Sequence, residues 1–164
     1  MSKPSLRPIL AGGLLAGLLD LTFALCFAGA NGVGPERVLQ TIASGWLGNA
    51  AYEGGLSTAA IGLVSHFGLA LLWAGLFLFA ARRMPALVTH PLVAGIAFGV
   101  VVFLVMRLAV LPLSAYPRPV TFKPLATVLD LASHTLLFGV PIALAARRAL
   151  RGRRDGVVVM PASA

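Results

Sequence analysis

Five ionisable side chains interrupt the long apolar runs of this 164-residue sequence: Asp20, His66, Arg107, Asp130 and His134. A charged group in hydrocarbon is costly, so each of them calls for a partner or a water-filled cavity. Carboxylates and imidazoles in such positions are the usual components of proton relays, and a guanidinium beside them can neutralise an acid. Asp130 and His134 stand four residues apart, which places them on one face of a helix. Glu53 lies just ahead of the second apolar block. These six residues form the candidate site for binding or passing protons or a small polar solute.

Other readings compete for the same residues. Arg107 paired with Asp20 or Asp130, with the histidines hydrogen-bonding their neighbours, describes a purely structural cluster that fixes helix packing. His66 and His134 fall on different helices at similar depth, so they are also candidate axial ligands for a haem b. A metal site built from Asp20, Asp130 and the histidines is opposed by Arg107, whose charge repels a cation. Enzyme signatures such as GxSxG, HExxH or a phosphate-binding glycine loop do not occur.

The elements that must position these groups follow from composition. Hydrophobic residues make up 59% of the chain and charged residues 11%, too few charges for a soluble surface. Four apolar blocks of 22 to 25 residues run over 9–30, 57–80, 91–113 and 122–146. At about 1.5 Å of rise per residue each reaches roughly 33–37 Å, enough to cross a hydrocarbon core. The fold class is therefore all-α, a four-helix transmembrane bundle in a single domain. Thr89-His90-Pro91 and Thr121-Phe122-Lys123-Pro124 offer a capping hydroxyl and an early proline where the third and fourth helices begin. Cleavage of the first block as a signal peptide is disfavoured by its length and by Asp20 in its middle. Pro141 frees the carbonyl of Leu137 and kinks the fourth helix. Cys26, the lone cysteine, reads as a small buried hydrophobe.

The net charge of +8 flanks the apolar blocks and makes no basic stripe, which points to topology and not to nucleic acid. Lys3, Arg7, Arg82, Arg83, Arg147, Arg148, Arg151, Arg153 and Arg154 share one side, against Arg37, Arg118 and Lys123 on the other. Nine basic residues against three place both termini in the cytoplasm of a bacterial inner membrane, with 147–164 as a basic tail disordered at its end. The lipid bilayer is the expected partner. Transport by four short helices without visible inverted repeats would require a homo-oligomer.

The outer loop over 31–56 contains an amphipathic helix. Val38, Leu39, Ile42 and Trp46 fall on one side, with Arg37, Gln40, Thr41 and Ser44 on the other. It is expected to lie at the outer interface on its apolar face, anchored by Trp46; a re-entrant segment returning through Gly48, Gly54 and Gly55 is the alternative. Counted from the outer end, Arg107, Asp130, His66, Asp20 and His134 lie at roughly 9, 12, 14, 15 and 18 Å, a single layer. Small residues accompany them: Gly13 and Gly17 near Asp20, Gly62 near His66, and Gly95 and Gly99 on the helix of Arg107. Such residues let membrane helices approach closely, so the polar groups are expected to converge inside the bundle.

Several stretches between residues 60 and 146 resemble the YagU-like group of small bacterial inner-membrane proteins. They are His66, Pro91-Leu92-Val93-Ala94-Gly95, Met106-Arg107-Leu108-Ala109-Val110-Leu111-Pro112-Leu113-Ser114, and His134. The resemblance implies four helices, cytoplasmic termini and a suggested link to acid stress, without a mechanism.

Overall fold

A computed structural model describes residues 6–151, and among them all regular structure is helical. Five helices organise the chain: α1 (Arg7–Ala30), α2 (Pro35–Leu47), α3 (Gly55–Arg83), α4 (Pro91–Leu113) and α5 (Pro124–Arg151). All but α2 are long and apolar enough to cross a membrane, which points to a multi-pass membrane protein. Two short turns join them, a 3-10 turn over Gly48–Tyr52 and a single helical turn over Ala86–Thr89. Arg7, Arg82, Arg83, Arg147 and Arg148 mark one end of the bundle, here the basic end; α2 and the 114–123 loop mark the distal end. The basic tail begins as helix, since α5 continues through Arg151. Lys3, Arg153, Arg154 and the expected disorder near the terminus lie outside the described residues.

Packing is inside-out relative to a soluble bundle. Buried positions are small, with Ala16, Ala70, Ala74, Ala143 and Ala146 at 0–1% exposure, while Leu14, Leu18, Leu72, Phe79 and Leu104 stay on the outer surface. Lipid-like surroundings remove the drive to hide leucine, so close contact between small residues holds such helices together. A Cβ on Gly12 would collide with that of Ala145 on α5, and one on Gly13 would stand 3.0 Å from that of Ala74 on α3. Cys26 is exposed on α1, contrary to its expected burial, because it continues the outward-facing series Leu18–Thr22 at intervals of four.

The helix ends fall close to the expected limits, but by a different device. Thr89 gives its hydroxyl to the Ala86 carbonyl, and neither α4 nor α5 carries a side-chain cap; Pro91 and Pro124 open the two helices unaided. Both helices also widen into a π-helical turn, Met106–Val110 in α4 and Ser133–Gly139 in α5. Each turn ends two residues before a proline, Pro112 or Pro141. A proline ring has no N–H to donate and crowds the carbonyl four residues back, and a wider turn relieves both defects.

α2 does not lie on its apolar face. Its buried residues are Gln40, Ala43 and Ser44, which pack on α3, while Trp46 is 69% exposed. The helix runs back along α3, from Gln40 at the Gly55 carbonyl (3.3 Å) to Trp46, whose indole N–H donates to Ser65 Oγ (3.1 Å). Gly62 permits the approach, because any Cβ there would strike the Leu39 carbonyl. Polar Gln40 can be buried since its amide finds both Glu36 and Gly55. Gly48, at φ +58°, turns the chain back towards α3 in a conformation that favours glycine.

Tyr52 ties this cap to the other distal loop. Its ring lies 3.8 Å from the Arg37 guanidinium and 5.2 Å from that of Arg118. Burial alone would raise the phenol's pKa, but hydrogen bonds with Thr41 and Ser44 and the two guanidiniums outweigh it, leaving Tyr52 below the ordinary tyrosine value. A depressed folded value stabilises the fold in full above the unfolded value of about 10, and the gain is lost as pH falls through the folded value. In an ultraviolet titration Arg118→Gln moves the tyrosinate onset to higher pH; an unmoved onset would show that Arg118 does not act on the phenol.

Candidate functional site

Arg107 projects from the π turn of α4 towards α5. Its Nε and Nη2 both donate to Asp130 Oδ2, at 3.1 and 2.8 Å, and its Nη1 donates to the Thr121 carbonyl at 2.7 Å. The rings of Phe103 and Phe122 flank the guanidinium, each 5.4 Å from its carbon. The other oxygen of the Asp130 carboxylate, Oδ1, lies 3.1 Å from His134 Nδ1. That same nitrogen is 2.9 Å from the Asp130 carbonyl and 3.9 Å from Asp20 Oδ1. Ser133 donates to Asp20 Oδ1 at 2.7 Å, which ties α1 to the π turn of α5.

The result is a continuous row, Arg107–Asp130–His134–Asp20–Ser133, drawn from α4, α5 and α1. The polar groups around His134 Nδ1, two carboxylates and the Asp130 carbonyl, are all acceptors, so this nitrogen carries the hydrogen of the neutral ring. A further proton therefore goes to Nε2. Phe103 and Phe138 border the imidazole, with ring centroids at 5.8 and 6.2 Å. Packing makes the row possible: a Cβ on Gly99 would collide with the His134 carbonyl, and one on Gly139 with that of Gly95. The glycine pair on α4 thus seats the bulged backbone of α5.

A cleft of about 330 Å³ opens beside the row, walled in part by Arg107, Tyr116, Lys123, Asp130 and His134. Two sequence candidates stand apart from the row. His66 donates from Nε2 to the Gly17 carbonyl on α1 at 2.8 Å and borders two other clefts, one of them shared with Asp20. Glu53 is exposed in the distal connection. The sequence reading missed Ser133, the Thr121 carbonyl and the aromatic flanks of Arg107. Ser133, a hydroxyl beside His134 in an apolar run, was open to notice there.

The haem reading finds little support in this arrangement. The two histidines border different clefts, and His66 Nε2 is held by the Gly17 carbonyl. Among the described residues no group of three or more His, Cys, Asp or Glu side chains converges to hold a metal ion.

No protein-family model, curated protein or solved structure matches the chain. The functional reading therefore rests on geometry.

Proposed function

We propose that this chain is a multi-pass protein of a bacterial inner membrane, both termini cytoplasmic, whose polar row is a proton-binding site open to the outer side. The observation that carries this reading is His134 between two carboxylates, at 3.1 Å from Asp130 and 3.9 Å from Asp20. With a neutral imidazole the row holds one cation and two anions, a net negative charge in a low-dielectric setting. Protonation at Nε2 brings it to zero net charge.

Binding is favoured over passage because the other half of the bundle offers no route. Between His134 and the basic end the helices bring in only apolar side chains besides Thr135 and Trp73. Ala16, Ala70, Ala74, Phe77 and Ile142 are packed there at 0–3% exposure. A proton needs polar side chains or room for water at hydrogen-bond spacing, and among the described residues this layer is filled by closely packed apolar side chains. The cleft offers the way in from the distal side. The YagU-like resemblance, with its suggested link to acid stress, agrees with such a site.

Proton uptake by the purified protein after an acid step tests the reading. The expected result is a component, a single proton per chain, that disappears in His134→Gln. Reconstituted vesicles should show no sustained proton current. Uptake unchanged in His134→Gln would overturn the assignment of the site, and a steady flux would overturn binding in favour of passage.

A further inference from the structure

α3 and α4 touch through Trp73, Phe77 and Phe98, with ring centroids 6.0 and 4.8 Å apart. On the distal side of these rings a cleft of about 670 Å³ opens between the two helices, roofed by the end of α2 and the start of the 114–123 loop. The Ala115 N–H donates to the Gly45 carbonyl across that roof, at 2.9 Å. The cleft has about twice the volume of the one beside His134, and its chemistry differs.

Its deep wall is aliphatic, formed by Ile42, Leu69, Met106 and Val110. Polar side chains also line it, but apart from the Tyr116 hydroxyl at the mouth their donors are spent within the protein. The Trp46 indole donates to Ser65, Ser65 to the Ile61 carbonyl, and Thr41 to that of Arg37. Ser114 donates to the Leu111 carbonyl and His66 to that of Gly17. A polar solute entering here would give up water and find these donors occupied, which is unfavourable. A hydrocarbon loses nothing. Since both flanking helices are read as membrane spans, the open side faces the acyl region of the outer leaflet. Ser114 and Tyr116 stand at the distal mouth, at headgroup level, and Leu69 and Met106 lie deeper.

We propose that this cleft is a binding site for one acyl chain of a lipid from the surrounding outer leaflet, inserted tail-first between α3 and α4. Met106, Leu111 and Tyr116 wall both this cleft and the one beside His134. A seated chain therefore braces the π turn that carries Arg107. The inference shares the membrane reading given above but does not depend on proton binding.

The full chain in bilayers containing a phospholipid with a photoreactive diazirine near the end of one acyl chain provides the test. After irradiation, mass spectrometry of peptides should find labels concentrated on Leu69, Met106 and Val110, several-fold above Leu72 and Val101 on the outer surface. Filling the cleft with Leu69→Phe and Val110→Phe should abolish that excess. Val101→Phe, the same added bulk on the lipid-facing side, should leave it intact. Even labelling of cleft and surface, or equal loss in the surface variant, would overturn the proposal. His134→Gln should retain the labelling, so failure of the proton reading and failure of this one are distinguishable.

Discussion

Arg107→Leu lowers the unfolding free energy in detergent by roughly 2–3 kcal/mol, and adding Asp130→Asn to the same chain restores about half of it. The single change removes both hydrogen bonds to Asp130 Oδ2 and the bond to the Thr121 carbonyl. It leaves a carboxylate in the bundle whose remaining side-chain neighbour is His134 Nδ1, itself shared with a backbone oxygen. Breaking a fully buried pair costs about 3–5 kcal/mol, mostly through the charge left behind. The side chains here are 18% and 31% exposed, and the adjoining cleft lets water reach the orphaned acid, so the smaller figure applies. Asn at position 130 removes that charge, hence the recovery. Arg107→Lys should fall between, because an ammonium keeps the charge but cannot reach Asp130 and the Thr121 carbonyl with one planar fork. Unfolding followed by circular dichroism measures all of these. If the double variant proves no more stable than Arg107→Leu, the ion pair is energetically idle and the row loses its anchor.

The four long helices were legible because length and apolarity alone decide them: a run of 22 or more apolar residues has few alternatives to a helix long enough to span. Pro91 and Pro124 fixed two starts to within two residues, although the expected hydroxyl caps were not used. The convergence of Asp20, Arg107, Asp130 and His134 was legible too, from counting residues along each helix. The choice of partner for Arg107 was not. It depends on how α4 and α5 are rotated, and a π turn admits an extra residue that displaces every later side chain from the face a 3.6-residue period assigns. Pro112 and Pro141 were the signals for those turns. The buried face of α2 was misread for another reason: a helical wheel ranks hydrophobicity, whereas the contact with α3 is governed by size. Gly62 needs a backbone against it, and Ala43 and Ser44 let one approach.

Gly99→Ala is expected to cost about 3 kcal/mol, the upper end for overpacking, and to abolish the proton uptake assigned to His134. A methyl group at this position would overlap the His134 carbonyl and stand 2.7 Å from its carbonyl carbon. Where a side chain is in the way, a rotamer change gives room; here the obstacle is the backbone of the π turn, so α4 and α5 must separate. Even a few tenths of an ångström matters to the 2.8 Å contact between Arg107 and Asp130, and through it to the carboxylate facing His134. Gly75 supplies the contrast, since nothing lies within 4 Å of a Cβ built there. Gly75→Ala should instead stabilise α3 by up to about 1 kcal/mol, the helix preference of alanine over glycine, and leave uptake unchanged. Thermal unfolding and proton uptake of the two variants decide the matter. Equal behaviour of Gly99→Ala and Gly75→Ala would mean that the α4–α5 contact yields readily, and a site held by a yielding contact could not keep His134 between its two acids.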